Sequence, residues 1–431
     1  MNLLIKHAAI LTNSERNVIE SGYVAVKGNR IFQVSDKPIE GFLADTVIDG
    51  TGKLCMPGLV NAHSHVPMTL MRGYADDLEL FEWLNQHIFP VEDRLDDETV
   101  LAGSLLGIGE MIRSGTTCFC DSYFFCDAIA EAVKTSGIRA DIARSTVFFG
   151  ETYDPDKDER FCEAREIIKK YNNTENGRLT VSLAPHAIYS TTPDNLKFIA
   201  GYAKEHELKI NLHTAETKKE YDDCMQQYDM TPVEYIESCG IFENKTVCAH
   251  GVHLTGKDFE ILSRYGASVV HNPTSNLKLA SGFCEVQKLL DADVNVALGT
   301  DGAASNNNLN MFEEMHLLTL LPKALHYDPK AVPAEKAVKI ATVNGARALG
   351  IESGVIAEGF LADLILLDLS GLHFQPMHNL VSAVCYSAQG NDVDTVIIDG
   401  NIVMKDRELL TLDEEMIQYK VKQAVKKLFR S

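Results

Sequence analysis

The stretch PGLVNAHSHVPM, Pro57–Met68, governs how the rest of the chain is read. An apolar run ends there in His63 and His65, one residue apart. Along an extended strand, residues i and i+2 share a face, so these two imidazoles project together while Ser64 points away. For the fragment alone two readings stand open: a chelating pair, or two histidines in a polar turn.

Working outward, seven more apolar runs follow: TTCFCDSY (116–123), RADIARSTVF (139–148), LTVSLAPH (179–186), KINLHT (209–214), KTVCAH (245–250), ASVVHN (267–272) and NVALGTD (295–301). Most lead into stretches of helical spacing, the pattern of βα units. Eight parallel strands close naturally into a (β/α)8 barrel whose working residues sit at the strand C-termini. An α/β catalytic barrel over residues 58–351 is therefore expected. The two chain ends have a different texture. YVAVKGNRIFQVS (23–35) alternates about Gly28-Asn29, and DTVIIDGNIVMKD (394–406) about Gly400-Asn401. Neither hairpin could bury its apolar face alone. Residues 1–57 and 352–431 are thus expected to share one small composite β-sandwich domain, with a closing helix in DEEMIQYKVKQAVKKLFR (413–430).

The strand ends carry the chemistry. Besides His63 and His65, the runs finish in His186, His213, His250 and Asp301. In a barrel these distant residues become neighbours. A catalytic metal site needs three or four N, O or S donors and one position kept for water. His63, His65 and His213 with Asp301 meet that need, and a divalent ion among them lowers the pKa of a bound water toward neutrality. Glu216, three residues after His213 in NLHTAET, places a carboxyl beside the ion to carry protons; its other reading is a helix-start glutamate favoured by the dipole. His250 can hold the attacking oxygen and stabilise charge in a tetrahedral state. LTVSLAPHAIYS (179–190) has no lysine to bridge a second ion, so a single metal is expected. Zinc is the first choice, and iron or manganese suit the same donors.

Composition narrows the partners. The 431 residues carry 61 Asp and Glu against 40 Lys and Arg, a formal charge of −21. That balance works against polyanion binding, and no proline is followed by the cysteine of the Pro-Cys-x-x-Cys element found in zinc deaminases of nucleic-acid bases. No apolar stretch approaches membrane-spanning length, and Lys6 and His7 interrupt the only apolar run at the start. The ten cysteines are scattered, with the close pair Cys118 and Cys120 lacking a second pair for a zinc knuckle. A cytoplasmic protein with free thiols is expected; self-association is left open.

PGLVNAHSH (57–65), HTAE (213–216), AHGVHL (249–254), HNPTSNLKLASG (271–282) and LGTDGAASNNNLNMFEEM (298–315) resemble the amidohydrolase superfamily and, more narrowly, the 5-methylthioadenosine/S-adenosylhomocysteine deaminases. The resemblance runs nearly end to end. It implies water attack at C6 of an adenine nucleoside with release of ammonia. Glu216 would protonate ring N1, Asp301 would take the proton of the water, and His250 would orient it. It further implies that Glu92 in FPVEDRL and His186 hold the sugar, and that Arg144 in IARSTVF meets the substrate tail. From the residues alone, Glu92 also reads as part of a solvated acidic stretch, Arg144 as a strand-end charge with a neighbouring partner, and Trp83 as core. Arg160 in DKDERF is a second candidate for the tail. SNNNLNMF (305–312) reads as hydrogen-bonding support for Asp301, and His271 as structural. Guanine or pterin deaminases and triazine hydrolases share the metal set; a silent nucleoside-binding metalloprotein would not need Glu216.

Overall fold

The structure, a computed structural model, describes residues 2–14 and 17–429. Five strands open the chain: β1 (Asn2–Leu11), β2 (Val18–Lys27), β3 (Arg30–Ser35), β4 (Thr46–Asp49) and β5 (Lys53–Pro57). The middle holds β6 (Leu59–His65), β7 (Thr116–Tyr123), β8 (Arg139–Thr146), β9 (Leu179–Val181), β10 (Ala184–Pro185), β11 (Ile210–Thr214), β12 (Thr246–His250), β13 (Ser268–His271), β14 (Asn295–Leu298) and β15 (Asp301–Gly302). Four strands close it: β16 (Leu364–Asp368), β17 (Val393–Ile398), β18 (Asn401–Lys405) and β19 (Glu408–Leu409).

Both chain ends enter one nine-stranded sheet, ordered β19-β18-β17-β16-β5-β1-β2-β3 with β4 beside β1. The β2–β3 turn falls at Gly28-Asn29 as the sequence suggests. The β17–β18 turn lies one residue earlier than its alternation implies, at Asp399-Gly400. Both of those residues have positive φ, 52° and 72°, the geometry whose twist matches the strands it joins.

The middle strands form two parallel sheets, β10-β8-β7-β6-β15 with β9 beside β8, and β11-β12-β13-β14. Hydrogen bonds join them at either side. Leu183 N donates to the Lys209 carbonyl at 2.9 Å and His213 N to that of His186 at 3.0 Å. Across the other side, Thr300 N donates to Asn61 Oδ1 at 3.0 Å and Asn61 Nδ2 to Thr300 Oγ1 at 2.7 Å. The fourth and eighth runs are each split by these junctions. Between β9 and β10 the chain turns to the neighbouring sheet at Leu183; between β14 and β15 it leaves β13 for β6. Gly299 makes the second change feasible, because a Cβ there would lie 2.5 Å from Asn272 Oδ1 and 2.8 Å from the His63 carbonyl.

Strands β6 to β14 are buried on nearly every residue, as expected of parallel strands covered on both faces. Helices such as Asp97–Arg113 cover the outside, and Leu105, Ile108 and Ile112 of that helix are buried. The closing helix, Glu414–Phe429, buries Ile417, Ala424 and Leu428 and meets the Asp97–Arg113 helix through the Arg113–Glu414 ion pair. Arg139 on β8 ties the terminal sheet to the parallel ones. Its Nε donates to Asp363 at 2.9 Å and Nη2 to Asp399 at 3.0 Å. Burial alone would lower the Arg139 pKa, but the carboxylates hold it above its ordinary value. Removing one partner from so buried a pair costs about 3–5 kcal/mol.

Candidate metal centre and active site

The strand ends converge. His63 and His65 lie at the end of β6, His213 is next to last in β11, His250 ends β12 and Asp301 starts β15. The metal-facing atoms of His63, His65 and His213 lie within 4.8 Å of one another, as do those of His63, His250 and Asp301. Asp301 Oδ1 is 3.6 Å from His63 Nε2 and 3.3 Å from His65 Nε2. His250 therefore brings a fifth donor to the point where the four expected ligands meet.

Three of the imidazoles are aimed by a second group. His65 Nδ1 lies 2.8 Å from the Ser122 carbonyl and His213 Nδ1 2.8 Å from that of His186. A carbonyl only accepts, so Nδ1 carries the hydrogen in both rings and Nε2 carries a lone pair. Those two Nε2 atoms stand 3.2 Å apart. Facing lone pairs at that distance repel unless a cation lies between them. His63 Nε2 is likewise buried with no hydrogen-bond partner among the described residues. This donor set fits a divalent cation. Burial first, then the neighbouring imidazoles, lowers the His213 pKa well below its ordinary value, and burial takes that of His63 down to about 4. Neutral imidazole is the form that ligates.

Asp301 Oδ2 accepts from Ser275 at 2.6 Å and Ser305 at 2.9 Å, leaving Oδ1 for the cluster. Burial would raise its pKa, but His63 and the other surrounding imidazoles hold it well below the usual carboxylate range. Asn306 ties the same loop to the Thr300 carbonyl and to Glu314, each at 2.7 Å. His250 Nδ1 meets Asn276 Oδ1 at 2.8 Å. His271 points elsewhere, and its carbonyl accepts from Gly299 N at 3.0 Å.

Glu216 is buried, and its Oε2 is 3.9 Å from His250 Nε2. Burial holds its pKa above the ordinary glutamate value. It precedes the helix Lys218–Tyr228, whose N-cap is Thr217. The glutamate in that first turn is Glu220, which accepts from Ala215 N at 3.2 Å and Glu216 N at 2.7 Å. The helix-start reading thus belongs to Glu220. Three residues beside these groups, Ala215, His250 and Asp301, have φ of 51°, 76° and 61°. Such conformations cost about 1–3 kcal/mol each and persist where the surroundings over-determine them.

Above the cluster opens a cavity of about 640 Å³, lined among others by Glu92, Tyr123, Arg144, His186, Glu216 and Asp301. Trp83 is both core and cavity wall, with 6% of its surface exposed. Glu92 is partly buried, not solvated as its acidic neighbours suggested, and accepts from the Tyr123 hydroxyl at 2.6 Å. Burial pushes its pKa up to about 7 against that hydrogen bond. His186 keeps its ring in the cavity, with Nδ1 3.0 Å from Ser190 Oγ. Arg144 reaches the cavity but also pairs with Glu163 and lies 5.1 Å over Phe124. Arg160 also lines the cavity and is exposed. Tyr123, Ser275, Asn276 and Glu220 escaped the sequence reading. For Ser275 and Asn276 the signal was present in HNPTSN; for Tyr123 none was.

A sequence profile of the amidohydrolase family matches residues 54–403. The chain belongs to the amidohydrolase family. It is 48% identical to a 5-methylthioadenosine/S-adenosylhomocysteine deaminase of Acetivibrio thermocellus over 100% of both chains. It is 47% identical to a 5'-deoxyadenosine deaminase of Methanothermobacter thermautotrophicus over 93% of each. A solved structure described as an adenosine deaminase from Xanthomonas campestris with bound zinc superposes with a TM-score of 0.93 at 37% identity, covering 99% of this chain and 98% of that one. No helix among the described residues of this amidohydrolase is long and apolar enough to cross a membrane.

Proposed function

We propose that this amidohydrolase is a metal-dependent deaminase of adenine nucleosides, exchanging the 6-amino group for oxygen and releasing ammonia. 5'-Methylthioadenosine and S-adenosylhomocysteine are the substrates we favour, with adenosine and 5'-deoxyadenosine as alternatives. The observation that carries this reading is Glu216: a buried carboxyl beside a converging donor set, in a cavity that Glu92 also lines. A merely structural metal site has no use for that acid. The names of the relatives at 47–48% identity support the substrate class.

We assign His63, His65, His213 and Asp301 to one divalent ion, zinc being favoured. When bound, such an ion makes its water acidic enough to ionise near neutral pH. The chain's own groups do the rest. Glu216, whose pKa burial raises, donates to ring N1 as C6 becomes tetrahedral. Asp301 Oδ1 accepts the proton that the attacking water gives up, and His250 Nε2 faces the oxygen at C6 and steadies its charge. Asp301 passes its proton to the 6-amino group, which departs as ammonia; the proton given to N1 stays on the ring, and Glu216 recovers one from the hydroxyl at C6 as the carbonyl forms. Glu92 and His186 hold the sugar, and Arg144 borders the 5' substituent.

We further read the two parallel sheets as one (β/α)8 barrel over residues 58–351, with 1–57 and 352–431 as a composite β-sandwich domain. Hydrogen bonds at both junctions and the shared terminal sheet support this. Ten free cysteines and the −21 charge support a cytoplasmic enzyme of small molecules rather than nucleic acid.

Ammonia release over a panel of adenine nucleosides varied at C5', with guanine alongside, tests the function. Turnover of the nucleosides and not of guanine is expected. Turnover of guanine, a pterin or a triazine alone would assign a different branch of the family; binding without turnover would leave a silent metalloprotein.

A further inference from the structure

Consecutive residues at the end of β7 face two parts of the cavity. The Ser122 carbonyl aims His65 at the metal cluster, at 2.8 Å, and the Tyr123 hydroxyl donates to Glu92 Oε1, at 2.6 Å. Tyr123 is 4% exposed, and its ring centroid lies 6.2 Å from that of His65 and 4.8 Å from that of Phe124. Burial and these two neighbouring rings restrict the phenol. Glu92 is held less well. It ends the short helical turn Phe89–Glu92 in the segment after β6, and among the described residues its carboxyl has no ion pair and no other side-chain hydrogen bond. A carboxylate with one donor still rotates about its last torsion unless that donor is itself rigid.

We propose that Tyr123 is a positioning residue for sugar recognition. Its hydroxyl locks Oε1 of Glu92, so that Oε2 is presented to the cavity in the one orientation that accepts two vicinal hydroxyls. Because Ser122 and Tyr123 share a strand end, the same anchor sets the sugar contact at a constant distance from the metal cluster. The adenine C6 is thereby registered against the groups that act on it. This inference rests on the nucleoside reading above.

Tyr123→Phe tests it, with adenosine and 2',3'-dideoxyadenosine as paired substrates differing only in the diol. For adenosine, kcat/KM falls about tenfold, carried by KM, while kcat holds within about twofold. For the dideoxy compound kcat/KM changes by less than about twofold, and metal content is unchanged. In a Glu92→Ala background, adding Tyr123→Phe has no further effect on adenosine, since the two act as one unit. Equal losses on both substrates, or losses that add in the double variant, overturn the assignment to Tyr123. If the wild-type enzyme turns over neither nucleoside, the nucleoside reading fails first and this inference falls with it.

Discussion

At the end we assign to the metal, His65, His213, His250 and Asp301 stand at strand ends and each is aimed by a second group. Ser122 and His186 lend carbonyls to His65 and His213, Ser275 and Ser305 hold Asp301, and Asn276 holds His250. At the end we assign to the sugar and tail the supports thin out. Glu92 stands on a loop turn with one donor, and Arg144 shares its guanidinium with Glu163, which is 58% exposed. Chemistry at C6 tolerates little displacement, whereas 5' substituents vary. The rigid sheets therefore carry the first task and the loops and a surface ion pair the second.

This contrast can be broken at several points. The largest effect is expected at a ligand. His213→Ala should lose the metal and reduce turnover by about four orders of magnitude or more, read by metal analysis together with ammonia release. Retained activity in the metal-depleted variant would dissolve the distinction between the two ends. Ser275→Ala removes one of the two donors on Asp301 Oδ2, and second groups of this kind are worth about 10–100-fold. That loss should appear in kcat with KM nearly unchanged; a loss in KM alone would move Ser275 to the substrate side. Glu92→Ala should cost about tenfold in kcat/KM for ribosides, with little change for a nucleoside lacking the 2',3'-diol.

The smallest expected effect is in pH. Burial raises the Glu92 pKa to about 7 from an unfolded value of 4.5. The protonated folded form is thus favoured, and stability is lost as pH rises from the unfolded value through about 7. Recognition runs the other way, because the ionised carboxylate is the better acceptor of hydroxyl donors. KM for adenosine should fall a few-fold, roughly, between pH 6 and pH 8, while that for the dideoxy compound stays flat. Parallel profiles would remove Glu92 from the sugar contact.

The metal end was the legible one. His63 and His65 stand at the end of one apolar run and His213, His250 and Asp301 at the ends of three others, and period-2 strands announce where such residues emerge. Asn and Ser clusters after strand ends announce their own hydrogen bonds, so Ser305 and Asn306 were readable as support. The positive φ of Ala215, His250 and Asp301 was not, since nothing in residue type marks a strained non-glycine position. Nor was the split of the eighth run at Gly299, which depends on which strand lies alongside. At the sugar end local composition misled. Glu92 sits among Asp93, Asp96 and Asp97 and reads as solvated; only the fold brings Tyr123, 31 residues on, against it.

Glu216→Gln bears most directly on the claim that the acid is separate from the donors that hold the ion. Metal content per chain and ammonia release should be measured on the same preparation. One metal equivalent with kcat reduced by about two to four orders of magnitude is the predicted result. Metal lost along with activity, or turnover near that of the wild type, would contradict it.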